Sequence, residues 1–370
     1  MYIFNPEHDL CIANGDIHFV PPESALAFGR DCADITKFMY GLDSLADLDC
    51  SAGVGQDSSA GAILRIVPWG WNSVLCNRLR KQGIPEGLLP SSEQLAAITE
   101  LSHRRVAHRA LEYLSNSCLK SAAIVDHTYR IEAHSVQEVE EFLASHNNIV
   151  LKAPLSGSGK GIRFVSDALS HSDSGWCSNL IAKLGYVCVE KRYAPLMEFA
   201  MLFRCSGHED GQGGDVAGSA ADTDTGVEFV GYSLFYTQNG AYRGNILGSN
   251  GYLEGEISKY VPIEVLQMTK EKLMEFLKEN VCGRYEGYVG VDQFVCCGYT
   301  DAGTASSACA DLYYNPVVEI NLRLTMGLIA RNIYDRFSRE YNLVDGEKCF
   351  EICRDKKEGK MVYSYRIADI

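Results

Sequence analysis

Ile149-Val150-Leu151-Lys152-Ala153-Pro154-Leu155-Ser156-Gly157-Ser158-Gly159-Lys160-Gly161-Ile162 is the stretch from which the rest of the chain can be read. An apolar run ends in a lysine, passes through a loop of small residues and enters a second apolar run at 161–165. Glycines let a loop backbone approach phosphate oxygens, and a lysine carried on a strand adds a fixed positive charge beside them. The stretch is not a Walker A loop. Gly161 stands where Ser or Thr is needed after Gly159-Lys160, and Pro154 stands where the first glycine belongs. Nor is it a dinucleotide fingerprint, because Gly157, Gly159 and Gly161 are wrongly spaced and no helix pattern follows. Taken alone it reads equally well as a flexible β-hairpin turn, so its meaning depends on its surroundings.

Around it the pattern is strand and helix in alternation. A helix is expected at 135–144, strands at 149–152 and 161–165, a helix at 176–184 and a strand at 186–191. The long alternating runs 199–205 and 228–236 that follow suit antiparallel strands. Upstream, short apolar runs at 1–4 and 62–67 alternate with helical patterns at 72–82, from Ser91, and at 102–114, which points to a parallel α/β layer. Downstream come a helix at 262–280, strands at 288–296 and 312–320, a helix at 325–334 and one closing strand within 361–366. The Gly-, Ser-, Ala- and Asp-rich segments 207–226, 298–310 and, more weakly, 51–61 cannot bury a core and read as loop extensions. The units expected are 1–115, 116–192, 193–340 and a closing segment 341–370.

Two more clusters carry charge into apolar surroundings. Asp292, in Gly290-Val291-Asp292-Gln293-Phe294, falls in the middle of an expected strand, where an unpaired carboxylate is costly. Glu319 and Asn321 are two apart in Glu319-Ile320-Asn321-Leu322-Arg323, so on a strand both point to one face. Two carboxylates and an amide oxygen on adjacent strands form a hard donor set that suits Mg²⁺ (or Mn²⁺) bridging nucleotide phosphates. Arg323 continues along that face and is a candidate for stabilising a transferred phosphoryl group; the competing reading is a buried salt bridge to one of the carboxylates. In Val189-Glu190-Lys191-Arg192-Tyr193 a strand runs into a linker, a hinge where backbone groups can meet a purine edge. Glu198 is the candidate for ribose hydroxyls.

In this order, a lysine–glycine loop, a hinge with two glutamates, a Gly-x-Asp strand and a Glu-x-Asn strand, the chain resembles the ATP-grasp superfamily over roughly residues 100–335. The resemblance implies an α/β and α+β protein in which two α+β lobes clasp ATP, preceded by a small parallel-sheet α/β domain. It also implies that Lys152 contacts the phosphates while Ser156, Gly157, Ser158, Gly159, Lys160 and Gly161 close over them. Glu190 and the Lys191 backbone would hold adenine, Glu198 the ribose, and Asp292, Glu319 and Asn321 the metal. Arg104, in Ser102-His103-Arg104-Arg105, falls where a further basic residue is usual at a helix start, although Lys is the usual type. Arg243 is a second candidate, with Arg323, for an acyl-phosphate, or else an ordinary surface arginine.

The activity implied is ATP-dependent activation of a carboxylate as an acyl-phosphate, attacked by an amine or, less often, a thiol. A phosphotransferase that stops at the phosphorylated product, and a non-catalytic nucleotide-binding module, remain as alternatives. His8 and Asp9, in the loop after the first strand, could orient a substrate or simply cap a turn. Trp69 and Trp71 in the next such loop read as packing.

Composition narrows the partners. A formal charge of −14 argues against nucleic acid, and no apolar run is long enough to span a membrane. The expected partners are a small-molecule carboxylate and an amine, with a homodimer left open. Most of the 14 cysteines lie in apolar runs and read as reduced, buried small hydrophobes; with no signal-like start, a cytoplasmic protein is expected.

Overall fold

Among the described residues, few strands form in the N-terminal part of the chain. In the computed structural model, which describes residues 1–41, 65–117, 124–156, 161–206, 226–238, 241–297, 312–357 and 359–370, β1 (Tyr2–Ile3) pairs in parallel with β2 (Val67–Pro68). Helices α1 (His8–Asn14), α2 (Glu23–Asp31), α3 (Ser73–Lys81), α4 (Ser92–Leu101) and α5 (Arg104–Asn116) surround this pair and continue from it. Of the strand expected at 62–67, only Val67 is strand among the described residues; residues 42–64 lie outside them, as do 207–225 of the expected extension 207–226 and the whole of 298–310. A capping box starts α4: Ser91 Oγ accepts from the Gln94 N–H while Gln94 Oε1 accepts from the Ser91 N–H.

The next unit is a four-stranded antiparallel sheet in the order β3 (Arg130–Ala133), β6 (Val187–Lys191), β4 (Asn148–Lys152), β5 (Ile162–Ser166). Helices α6 (Val136–His146) and α7 (His171–Leu184) cover it through Val139, Phe142, Leu143 and Cys177. Both helices begin on serine caps, Ser135 and Ser170.

The larger sheet has seven antiparallel strands, β7 (Pro195–Cys205), β8 (Val227–Gln238), β9 (Ala241–Leu247), β10 (Gly287–Cys297), β11 (Leu312–Asn321), β12 (Lys348–Lys357) and β13 (Lys360–Asp369). Their order is β11-β10-β7-β8-β9-β12-β13. Period-two alternation decides its two faces. Phe199, Met201 and Phe203 of β7 and Val289, Val291 and Val295 of β10 pack under α5, α8 (Asn250–Ser258) and α9 (Ile263–Asn280). Ala200 and Leu202 face the other way, with Phe350, toward α10 (Met326–Phe337), Phe38 and Trp69. Gly327 lets the first turn of α10 lie against β8, because a Cβ there would collide with Ser233.

Two expectations need correction. The closing strand is one half of a hairpin, β12–β13, and β12 pairs with β9, so residues 348–369 extend the large sheet. Ten described cysteines are free and mostly buried, but Cys297 is disulfide-bonded, against the expectation of reduced thiols.

Phe38, 1% exposed, ties the N-terminal unit to this sheet: its ring meets Phe337, Phe350 and Tyr365 with centroids 5.4, 6.2 and 5.9 Å apart. Phe38→Ala should lower stability by about 3–5 kcal/mol in denaturant unfolding. Truncating the exposed Ile17 should change it by no more than about 0.5 kcal/mol.

Candidate active site

The expected metal ligands meet because of strand register. β10 and β11 pair so that Asp292 lies opposite Glu319 and Gly290 opposite Asn321. Asn321 Nδ2 donates to Asp292 Oδ2 at 3.0 Å. Burial pushes the Asp292 carboxyl up to about 7, and the neighbouring Glu319 charge adds to the rise, while Arg323 and Asn321 oppose it. A cost of that kind is what a bound cation offsets. Among the described residues there is no group of three or more His, Cys, Asp and Glu that could cage a metal alone. The set Asp292, Glu319 and Asn321 fits Mg²⁺, which keeps oxygen ligands from a nucleotide or water instead of an all-protein cage.

Arg104 joins these strands to the lysine-bearing segment. It opens α5, and its own N–H donates to Pro154 O at 3.0 Å. Its Nε donates to Ala153 O and its Nη2 to Ser156 Oγ, both at 3.1 Å. Nη2 also lies 3.2 Å from Glu319 Oε1. One guanidinium therefore holds the residues directly after Lys152 against a candidate metal ligand. Residues 157–160, including Gly157, Ser158, Gly159 and Lys160, lie outside the described residues. Gly161 has φ +74°, which favours glycine, and a Cβ there would crowd Ser156 and Ala153.

Lys152 is buried at the end of β4, with Nζ 2.6 Å from Glu190 Oε2. Arg130, which the sequence reading did not single out, places Nε 3.0 Å from Glu190 Oε1 and donates from Nη2 to Val317 O at 3.1 Å. Burial lowers the Lys152 pKa, against the pull of Glu190. Burial would raise that of Glu190, but Arg130 and Lys152 outweigh it and hold the carboxyl at about 2. The Glu190 side chain is thus the counter-ion of two cations and is not free to face a purine. The Lys191 ammonium sits over the Tyr129 ring, 4.6 Å from its centroid. Glu198 accepts from Thr237 Oγ1 at 2.7 Å, and burial raises its pKa.

Arg323 pairs with neither metal-site carboxylate. Its Nε and Nη2 grip both oxygens of Asp9 at 2.9 Å, and its Nη1 donates to Leu324 O at 3.1 Å. The N-terminal α1 therefore reaches the site. His8 is buried beside Asp9, with Nδ1 3.2 Å from Asn72 Nδ2, and burial lowers its pKa to about 4, so it is neutral at pH 7. A cavity of about 310 Å³ is lined by Asp9, Glu198, Asp292, Glu319, Asn321 and Arg323, among others. Arg243 is not among the residues that line it; it lies on β9, with a buried Nε that has no hydrogen-bond partner.

An α/β unit, a four-stranded α+β lobe that carries the lysine strand and a large sheet that bears an acidic strand pair agree with the architecture that the resemblance to the ATP-grasp superfamily implies. No family model and no curated protein matches the chain. Among solved structures it is similar to N5-carboxyaminoimidazole synthetase from Staphylococcus aureus complexed with ADP, at 14% identity over 71% of this chain and 59% of that one, TM-score 0.39. It is similar also to the biotin carboxylase–β,γ-ATP complex from Campylobacter jejuni, at 12% identity over 78% and 58%, TM-score 0.44. D-alanyl-alanine synthetase A from Vibrio cholerae matches at 12% identity over 70% and 66%, TM-score 0.37. The chain spans 57–65% of the length of the first three synthetases it resembles.

Asp292 sets a pH dependence. Its folded pKa, about 7, lies above its ordinary 3.8, so its contribution to stability is complete below about 4 and is lost as pH rises toward 7. A cation needs the ionised form, so Mn²⁺ titrated into nucleotide-free protein should bind about tenfold more weakly per pH unit below 7 and level off above it. Calorimetric titration at pH 5.5 to 8.5 checks this; an affinity that does not change with pH would remove Asp292 from the ligand set.

Proposed function

We propose that the chain is an ATP- and magnesium-dependent ligase that activates a substrate carboxylate as an acyl-phosphate for attack by an amine, or less often a thiol. The observation that carries this reading is the Arg104 bridge, which unites the segment after Lys152 with Glu319. Neither a lysine hairpin nor an acidic strand pair means much alone. Brought to one guanidinium, they form a place for a triphosphate.

The residues divide the work by charge. Lys152, kept in place by Glu190 and Arg130, presents its ammonium to phosphate oxygens. Arg104 holds Ser156 at the start of the loop that would cover them. Asp292, Glu319 and Asn321 would hold Mg²⁺, which supplies charge neutralisation between phosphate oxygens. Glu198 and the Lys191 backbone fit the nucleoside end. Arg323 is aimed by Asp9 at the place where the acid meets the γ-phosphate. A carboxylate oxygen attacks the γ-phosphorus, the bond to the β–γ bridging oxygen breaks, and ADP leaves. The amine then attacks the acyl carbon, phosphate departs and the amine loses a proton. Positioning and charge supply most of the rate in such a transfer.

The test is ADP release from a panel of carboxylates with hydroxylamine present, which traps an acyl-phosphate as a hydroxamate. Glu319→Ala should lower ADP release roughly a hundredfold or more while leaving the circular dichroism spectrum unchanged. Unchanged turnover would remove the metal assignment. ADP formed without any hydroxamate would favour a phosphotransferase.

A further inference from the structure

The 310 Å³ cavity continues well beyond the candidate metal site, and its floor can be traced strand by strand. Asp292 of β10 lies opposite Ala200 of β7, and Ala200 opposite Ser233 of β8. Two residues along the same face, Phe235 lies opposite Asn245 of β9, and Asn245 opposite Phe350 of β12. Ile352 and Arg354 follow Phe350 on that face, because side chains alternate along a strand. All of these except Phe350 line the cavity. From β10 to β12 there are four strand intervals, about 19 Å at the usual spacing. The floor thus crosses most of the sheet from the acidic pair to Arg354.

Its walls change character along the way. Phe28 and Trp69 come from the N-terminal unit, both set edge-on against Phe4 with centroids 5.3 and 5.2 Å away. Phe235 and Tyr242 come from β8 and β9. Phe28 also packs on Tyr363, the cross-strand neighbour of Arg354, with centroids 5.0 Å apart. The exposed Arg354 side chain has no ion pair or hydrogen bond among the described residues, in a chain of net charge −14. Arg323, at the other end, has five N–H groups and commits three of them, two to Asp9 and one to Leu324 O. Two remain for a ligand.

We propose that this cavity takes an extended carboxylic acid with a planar, apolar body and a second anionic group, its reacting carboxylate at Arg323 and its far anion at Arg354. The assignment rests on the ligase reading and names its substrate class. A short hydrophilic acid would leave the half-buried Phe28 and Phe235 facing water, and a monoacid would leave Arg354 unmatched. Binding of the acid needs no nucleotide, so the two readings can be tested apart.

Calorimetric titration of nucleotide-free protein with biphenyl-4,4′-dicarboxylate and with biphenyl-4-carboxylate is the experiment. The diacid should bind about two- to fivefold more tightly, as expected when an exposed charge pair is added. Arg354→Gln should erase that ratio while leaving the monoacid unchanged, and Trp69→Leu should weaken both acids. Equal affinity for the two acids, a ratio unaltered in Arg354→Gln, or no binding of either would overturn the proposal. MgADP titrated into the same preparation separates the failures. MgADP binding without acid binding sinks the substrate class alone, and acid binding without MgADP binding sinks the ligase reading.

Discussion

Arg104 is 6% exposed and has one carboxylate, Glu319, at 3.2 Å to balance its charge, with Ala153 O and Ser156 Oγ taking its other bonds. A buried charge with so few partners is tolerated only when every one of them stays in place, and losing a partner from such a pair costs about 3–5 kcal/mol. The constraint runs in both directions. β11 cannot slide by a residue without taking Glu319 off the guanidinium, and the segment after β4 cannot lift without breaking two bonds to it. Residues 153–156 and the acidic strand pair are consequently fixed relative to each other. Preorganisation of this kind is what phosphoryl transfer needs from a protein.

A second buried group, Glu190, does the same for the lysine. It faces two cations, Lys152 and Arg130, so the cluster carries one uncompensated positive charge. In a low-dielectric setting that surplus is unfavourable, and a bound anion would offset it. Asp292 presents the opposite case, a carboxyl raised to about 7 beside Glu319. The site thus holds a surplus of cation on the four-stranded sheet and of acid on the large sheet. On the proposed function, a magnesium-bound triphosphate, positive at the metal and negative at its oxygens, would relieve both.

These facts explain which parts of the molecule were legible in the sequence. Strands whose alternation is clean, such as 199–205 and 288–296, appear close to where the pattern puts them, extended by a few residues as β7 and β10. Glu319 and Asn321 were readable as a same-face pair because a strand has period two. β12 was not readable, since Lys348-Cys349-Phe350-Glu351-Ile352 runs on into Arg354-Asp355-Lys356-Lys357, whose charges look like a solvated tail until β13 folds back on them. Arg130 was missed for a related reason. An arginine at the edge of a short strand looks exposed, and only the long-range pairing of β3 with β6, Arg130 opposite Glu190, buries it. Arg323 was expected to be free or paired with a metal-site acid. Its true partner, Asp9, lies 314 residues away in sequence, beyond the reach of any local pattern.

That long-range pair also brings the N-terminal unit to the candidate site. Arg323 follows directly on β11, where the strand ends at Asn321, and a guanidinium on a strand end is free to turn unless something grips it. Asp9 takes hold of one edge with both oxygens, which fixes the plane of the fork as a single hydrogen bond could not. Asp9 is itself positioned by α1, whose first residue, His8, is buried, neutral and bonded to Asn72, the cap of α3. The N-terminal helices, the cap of α3 and the arginine after β11 therefore form one connected chain of contacts. Separate the N-terminal unit from the large sheet and the lysine and acidic pair would persist, but Arg323 would lose its aim, so the orientation of this guanidinium depends on a part of the chain 314 residues away in sequence.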